Sequence, residues 1–318
     1  MTDTSKQGIS VIICCHNSKK RIGETLRHLA AQKMRAKTAW EVLLIDNASS
    51  DNTADFAQQI WAQLQPVHEM NFKIIREEAL GLTNARLCGI RHAAFDLLLF
   101  CDDDNWLDEN YVQNAVSIFA KNGDLGLAGT SAAIPVYETE PPQWLGAYTN
   151  LLACFSWDKT HITDTTHSEV SAAGCGMVIR RELALKYAAE IEHDQFRRAL
   201  DRKGSNTISG GDTDINYAVI KYGFKIGVFS ELKLQHFIPK ERMTVKYIAR
   251  LNYGINYSLQ LIQHLYTTSF TEWSVKGRLL YLFRSFLKGP AYFEIVRSGF
   301  RGIRDGKQYL NALKTGNA

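Results

Sequence analysis

Short, mostly apolar runs recur at residues 9–15 (ISVIICC), 41–45 (EVLLI), 72–75 (FKII) and 97–101 (LLLFC). Runs of this length, without strict polar alternation, are how strands buried on both faces read. Between the first two, Ile22, Leu26 and Leu29 recur at helical spacing, and the segments after Asp51 and Thr83 can supply further crossover helices. Strands alternating with helices predict a right-handed, mostly parallel α/β sheet whose ligand crevice lies at the carboxyl ends of the strands. The polar residues that follow each run are therefore the first place to look for chemistry.

Between residues 134 and 166 this order lapses, and Pro135, Pro141, Pro142 and Trp144 read as a surface excursion of the kind a substrate loop would use. Order resumes with a strand at CGMVIRR (175–181), a helix over 211–222 and a short strand at KIGVF (225–229). Beyond Pro239 the chain reads as helical and aromatic-rich, over 244–266 and again over 272–287. No internal repeat or low-complexity segment interrupts it. The expected division is one α/β domain over 1–240 and a helical extension over 241–318.

With 318 residues, 45% of them hydrophobic and 22% charged, the chain has globular composition and enough length to bury a real core. No basic start followed by an apolar stretch opens it, and no apolar run approaches the roughly 18 residues of a membrane span, so the expected location is the cytosol. The six cysteines, at 14, 15, 88, 101, 154 and 175, show no CxxC spacing and read as reduced packing residues.

Charge changes the picture more. From Lys240 onward there are 13 Lys+Arg against 4 Asp+Glu, a surplus of +9, whereas the preceding residues hold 24 against 29, or −5. Tyr247, Tyr253, Tyr257, Trp273, Tyr281, Phe283, Phe286, Tyr292, Phe293 and Phe300 are interleaved with those cations. Such an extension can meet a phosphorylated acceptor or dock peripherally at the inner face of the cytoplasmic membrane. Alternatively, its aromatics pack on the main domain and its charges form a solvated face. No RNA- or DNA-binding motif accompanies the charge, so nucleic acid is not an expected partner.

The strongest chemical signal is LLLFCDDDNW, where a buried run ends in Asp102, Asp103 and Asp104. In an extended chain, side chains two apart project to the same side, so Asp102 and Asp104 can reach one cation while Asp103 points away. Mg²⁺ or Mn²⁺ prefers carboxylate oxygens and keeps room for waters and substrate phosphates. The plainer reading is an acidic turn capping a helix that begins near Asp108, but three adjacent carboxylates repel one another without a cation.

In EVLLIDNASSDNT, Asp46 and Asn47 leave a strand end where a carboxylate can accept hydrogen bonds from a nucleobase or ribose, while Asp51 and Asn52 are ordinary helix caps. In ISGGDTDINYAVIKYG, the helical face of Ile215, Ala218, Val219 and Tyr222 puts Asp212 in a first turn. Ser209 and Asp212 are spaced like a capping box, yet Gly210 and Gly211 permit a close approach that a cap does not need. Catalytic acid–base residue and cap both remain open for Asp212. His16 and His236, each following a strand, are equally open between structural and ligand roles.

Taken in order, CCHN (14–17), IDNASSDNT (45–53), GLTNARLCGI (81–90), FCDDDN (100–105), AAGCGMVIRR (172–181) and SGGDTD (209–214) resemble the family-2 glycosyltransferases over residues 8–240. The resemblance implies the glycosyltransferase-A fold, a Rossmann-like, mostly parallel sheet flanked by helices, here with a helical C-terminal extension. It also implies an inverting transfer from a nucleoside-diphosphate-sugar, a UDP-sugar first among them, with a metal on the donor. On the matching positions, Asp46 stands for the nucleobase contact, with Asn17 and Asn47 beside it. Asp102 and Asp104 stand for the DxD pair that holds Mn²⁺ or Mg²⁺ on the diphosphate, Asp104 being the more direct ligand and Asp103 lying by the donor. Arg86 stands where an arginine meets phosphate or sugar, Asp212 for the catalytic aspartate, and His236 for a histidine that touches metal or diphosphate. One departure matters: many members have Glu before that aspartate, and here it is Gly211, so Asp214 could share or take the role.

The expected acceptor is a glycan or a lipid-linked sugar in bacterial surface polysaccharide or glycolipid synthesis. A sugar nucleotidylyltransferase would share the core, but CCHNSKKRIG lacks the Gly-rich phosphate loop such an enzyme carries near its start. A non-catalytic sugar-nucleotide-binding or membrane-docking protein would keep the fold without the acids, whereas Asp46, Asp102, Asp104 and Asp212 are all retained.

Overall fold

A computed structural model of the chain describes residues 6–35, 38–204, 207–266 and 274–315. The four apolar runs lie within β1 (Lys6–Cys15), β2 (Trp40–Asn47), β3 (Asn71–Glu77) and β4 (Phe95–Asp102), which pair in parallel in the order β3-β2-β1-β4. Between them run α1 (Ile22–Ala30), α2 (Thr53–Gln63) and α3 (Leu82–His92). Successive strand residues face opposite sides, so each run feeds two cores. Val11, Ile13, Val42, Leu44 and Leu99 pack with Ile22, Leu26 and Leu29 of α1, whereas Ile12, Leu43, Ile45, Leu98 and Phe100 pack with Ala85, Leu87 and Ile90 of α3. Covering both faces is why these runs show no polar alternation.

Past β4 come β5 (Asn105–Leu107), α4 (Tyr111–Lys121), β6 (Leu125–Tyr137), a 3₁₀ segment (Gln143–Leu152), β7 (Phe155–Ser156) and β8 (His161–Thr163). They are followed by β9 (Met177–Arg180), α5 (Arg181–Ile191), α6 (Gln195–Arg198), α7 (Gly211–Lys221) and β10 (Lys225–Ile238). The full order is β3-β2-β1-β4-β9-β6-β10-β5, with β9 antiparallel to both β4 and β6. The expected parallel arrangement thus describes the first four strands and the β6–β10 pair, and the sheet as a whole is mixed.

β6 is the strand that the hydrophobic pattern hid. Its buried stretch LGLAGTSAA is built largely from small residues, because a Cβ on Gly126 would strike Leu183 and Val219, and one on Gly129 would strike Ala172. The excursion expected over 134–166 is therefore partly regular, with β6 continuing through Pro135, β7 pairing with β6 and β8 pairing with β10.

The extension forms α8 (Val245–Tyr266), α9 (Val275–Lys288) and α10 (Pro290–Lys314). Glu272 and Trp273, expected to open the second helix, lie outside the described residues. Ile238, Met243, Ile248, Leu251 and Ile295 share one apolar cluster with Leu145 and Leu152, which joins α8 and α10 to the sheet domain. Most of the interleaved aromatics are used in packing: Tyr253 stacks on Tyr257, Tyr148 meets Tyr292, and Phe293 and Phe300 meet Phe286 and Tyr281 edge-on. Among the described residues, no helix is long and apolar enough to cross a membrane.

α8 and α10 approach so closely that a Cβ on Gly302 would collide with the Tyr253 carbonyl oxygen. Backbone cannot step aside as a side chain would, so Gly302→Ala should cost about 1–3 kcal/mol, the usual range for overpacking. Denaturant unfolding should show a lower midpoint, and an unchanged midpoint would refute the close crossing.

Candidate active site

The strand register fixes where chemistry can collect. Cys14 of β1 lies between Ile45 of β2 and Asp102 of β4, and Cys15 lies beside Asp46, so the carboxyl ends of three parallel strands finish at one level. A cleft of about 580 Å³ opens there. His16, Asn47 and Asp102 to Asp104 line it from the strand ends, with Arg86 from α3, Gly174 from the loop before β9, Asp201 after α6 and Asp212 from α7. His236 closes β10's side, and Arg242, Tyr247 and Leu251 bring the start of the extension into the wall. Burial pushes the Cys14 thiol up to about 12, which leaves it a neutral packing group in the floor.

Arg86 organises one side of this cleft. One guanidinium nitrogen donates to Asp201 at 2.8 Å and the other to Asp212 at 2.5 Å, while its side chain is 8% exposed. Burial opposes its charge, but the two carboxylates keep it protonated well above the usual arginine value. The second oxygen of Asp212 accepts the Gly174 N–H at 2.8 Å. The capping-box alternative is therefore not realised, since Gly210 occupies the cap of α7 and no side chain bonds there. Gly211 has a different use from the one its sequence position implied. A Cβ there would meet the Asp201 carboxylate at 2.5 Å, so the missing side chain leaves the space that Asp201 fills. Burial raises the Asp201 carboxyl, Arg86 pulling against it.

The three adjacent aspartates are separated by their environments. The chain turns at Asp103 and Asp104 between β4 and β5, where an extended segment had been expected, and α4 starts only at Tyr111. Asp103 accepts from Ser18 and, at 2.6 Å, from Arg21, which commits its carboxylate to the start of α1. Asp104 meets Arg242 at 2.9 Å and His236 Nε2 at 3.3 Å, the latter an ion-pair distance without hydrogen-bond geometry. Burial works against the Asp104 charge, but Arg242 and His236 overcome it and hold the carboxyl below the usual range. For His236, burial is likewise opposed by Asp104, which raises the imidazole to about 10. Asp102 makes no side-chain ion pair among the described residues, and burial, reinforced by Asp104, pushes it up to about 6.

The carboxylates of Asp102 and Asp104 are oxygen donors of the kind a hard divalent cation prefers, and protonated His236 and Arg242 stand beside them as positive groups that can face a phosphate. Among the described residues no three His, Cys, Asp or Glu side chains form a metal cage, so a cation here would need phosphate and water for its remaining positions.

Four of the expected site residues are held by other groups in the structure. Arg86 was expected to meet the donor, but both ends of its guanidinium are taken by carboxylates. Asp103 was placed at the donor, but Ser18 and Arg21 hold its carboxylate. Asn17 is exposed outside the cleft lining, with φ 50°, and its Oδ1 accepts the Ser50 N–H at 2.9 Å, tying two loops together. Asp214 faces away from the cleft: it is fully buried and bonded to Tyr187, Arg197 and Tyr266.

Asp46 and Asn47 are also structural participants. Asp46 accepts from Ser49 N–H and Arg76 behind the cleft wall, and the Asn47 side chain bonds Glu77, Ala79 and Gly81 while lining the cleft. His16 donates from Nδ1 to the Asn47 carbonyl at 2.8 Å, which leaves Nε2 as its acceptor. Asp201 and Arg242 escaped sequence reading. Asp201 sits in a segment without period or motif, whereas Arg242 follows His236 closely enough that a cation search beyond β10 would have found it.

Asp214→Ala would remove the buried partner of Arg197, leaving it Glu190, and would take a carboxylate acceptor from Tyr187 and Tyr266, so stability should fall by about 3–5 kcal/mol, as when one partner of a buried ion pair is removed. Urea unfolding measures this, and a loss below about 1 kcal/mol would contradict the structural role assigned to Asp214.

Residues 10–187 match the family described as glycosyl transferase family 2. A 4,4'-diaponeurosporenoate glycosyltransferase of Staphylococcus haemolyticus is 29% identical over 169 residues, 53% of this chain and 43% of that protein. A poly-beta-1,6-N-acetyl-D-glucosamine synthase of Staphylococcus aureus is 28% identical over 120 residues, 38% of this chain and 27% of that protein. The matched stretches thus span less than half the length of these relatives. Among solved structures, a mannosyltransferase from Pyrobaculum calidifontis in complex with GDP-Man and Mn²⁺ has a TM-score of 0.56 at 16% identity, covering 99% of this chain and 77% of that one. TarS 1–349 of S. aureus has a TM-score of 0.51 at 16% identity, covering 98% and 92%. These structural likenesses show the glycosyltransferase-A type of fold, and the family match, which covers more than half of the residues, shows that the chain belongs to glycosyl transferase family 2.

Proposed function

We propose that the cleft transfers a sugar from a nucleoside-diphosphate-sugar to an acceptor hydroxyl by a single inverting displacement. The observation that carries this reading is two distinct charged groups lining one cleft: Asp102 and Asp104 with His236 and Arg242, and Asp212 held by Arg86. The donor class is supported by neighbours solved with UDP, UDP-GlcNAc and GDP-Man. The name of the poly-beta-1,6-N-acetyl-D-glucosamine synthase supports an acceptor in surface polysaccharide or glycolipid synthesis.

Breaking the bond from the anomeric carbon to the diphosphate leaves negative charge on the departing oxygen. Mn²⁺ or Mg²⁺ held by Asp104 and Asp102 would supply Lewis-acid stabilisation of that charge. His236 and Arg242 add positive charge beside the same carboxylates. The acceptor oxygen bonds the anomeric carbon from the opposite face and gives its proton to Asp212. Arg86 and the Gly174 N–H each hold one oxygen of Asp212, fixing its direction while leaving lone pairs to take the proton. We place the nucleoside against His16 and Asn47, with Asp46 behind that wall as its polar support.

Calorimetric titration with UDP and GDP, with and without Mn²⁺, tests the metal role. In Asp104→Ala the Mn²⁺-dependent gain in affinity should disappear, and an undiminished gain would sink the assignment. Asp212→Asn keeps shape and one acceptor oxygen but loses the base, so transfer should fall by about 10²–10⁴ with donor affinity retained. Near-normal turnover would move the base elsewhere.

A further inference from the structure

Among the described residues, the packing of the extension leaves one helix face largely uncovered, with Phe286 at its margin meeting Phe293 edge-on. On α9 only Ser285 is buried, whereas Val275, Leu279, Leu280, Phe283, Phe286 and Leu287 are 50 to 74% exposed. At helical spacing these six share an arc of about 140°. Elsewhere among the described residues, exposed large apolar side chains occur singly or nearly so, which is ordinary for a surface. The charged positions of α9 are Lys276, Arg278, Arg284 and Lys288, and no acid accompanies them.

We propose that α9 is an interfacial helix that docks this chain on an anionic bilayer. Its apolar arc would lie at the boundary of the acyl chains, with Arg284 and Lys288 at the headgroups and Lys276 reaching them by extending its stem. At 14 residues the helix is about 21 Å long, too short to span a bilayer but suited to lying along one. A second copy of the chain fits this face poorly. Pairing α9 with itself would bring eight cations together without a carboxylate on either helix, four from each copy. The proposal is independent of the transfer reading, because vesicle binding tests one and nucleotide binding in solution tests the other. It also assigns the docking role to α9 within a tail that the sequence had implicated as a whole, since the aromatics of α8 and α10 are largely occupied in packing.

The test is co-sedimentation of the full chain with phosphatidylcholine vesicles, with and without phosphatidylglycerol, over a salt series. Wild type should bind the phosphatidylglycerol vesicles and weaken with salt. Replacing Lys276, Arg284 and Lys288 with Gln should weaken low-salt binding on the order of a hundredfold, given the usual contribution of each cation near an anionic surface. L279E/F283E should bind neither vesicle type, while its circular dichroism and its nucleotide-induced thermal shift stay as in wild type. No wild-type binding at low salt, or undiminished binding by L279E/F283E, would overturn the proposal. Self-association that L279E/F283E abolishes, without vesicle binding by wild type, would overturn it in favour of a second copy.

Discussion

A guanidinium withdrawn from water needs carboxylates around it, and the geometry of this cleft follows from how Arg86 meets that need. Desolvating an ion costs several kcal/mol before any partner is counted. Asp201 at 2.8 Å and Asp212 at 2.5 Å offset that cost, and in doing so they fix three segments relative to one another: α3, the stretch after α6 and the first turn of α7. Close approach is required throughout. A Cβ at Gly174 would press on Arg86 and Asp212, and one at Gly211 would press on Asp201. Two carboxylates against one guanidinium also leave a surplus negative charge beside the cleft, which is what a proton acceptor requires.

The acidic turn solves the opposite problem, that of keeping three neighbouring carboxylates from repelling one another. Arg21 takes Asp103 and Arg242 takes Asp104, which leaves Asp102 without an ion pair among the described residues, and burial, with repulsion from Asp104 added, raises its carboxyl. Arg242 belongs to the segment that leads into α8, which means that the extension completes the charge balance of the strand ends. α8 is therefore part of the cleft as well as of the core it shares with α10 and the 3₁₀ segment.

The parts of the fold that could be read from sequence are those where burial shows as hydrophobicity. β1 to β4 announce themselves because both faces need Val, Ile and Leu. β6 does not, because close neighbours at Gly126 and Gly129 and a run of Ala, Ser and Thr leave it only Leu125 and Leu127 as large apolar residues in its buried stretch, and β9 gave no hint that it runs antiparallel. In the site, Asp102, Asp104, Asp212 and His236 were legible as polar residues at element ends, and the cleft gathers them. Arg86 was legible as a cleft residue but not in its partners, which are remote in sequence. Asp201 was invisible for the same reason: an acid in an aperiodic segment acquires meaning only when the chain folds it against Arg86. Asp214 misled because sequence spacing gives the order of residues around a helix, not which side the cleft will occupy.

The central claim is a single displacement, with Asp212 poised by Arg86 to take the acceptor proton. Its direct test is the anomeric configuration of the sugar first released when the bound donor is cleaved with water as acceptor, followed by proton NMR before mutarotation sets in. The account predicts the anomer opposite to that in the donor, with release that depends on Asp212. Initial release of the same anomer would mean that attack did not come from the face opposite the diphosphate, and would contradict it.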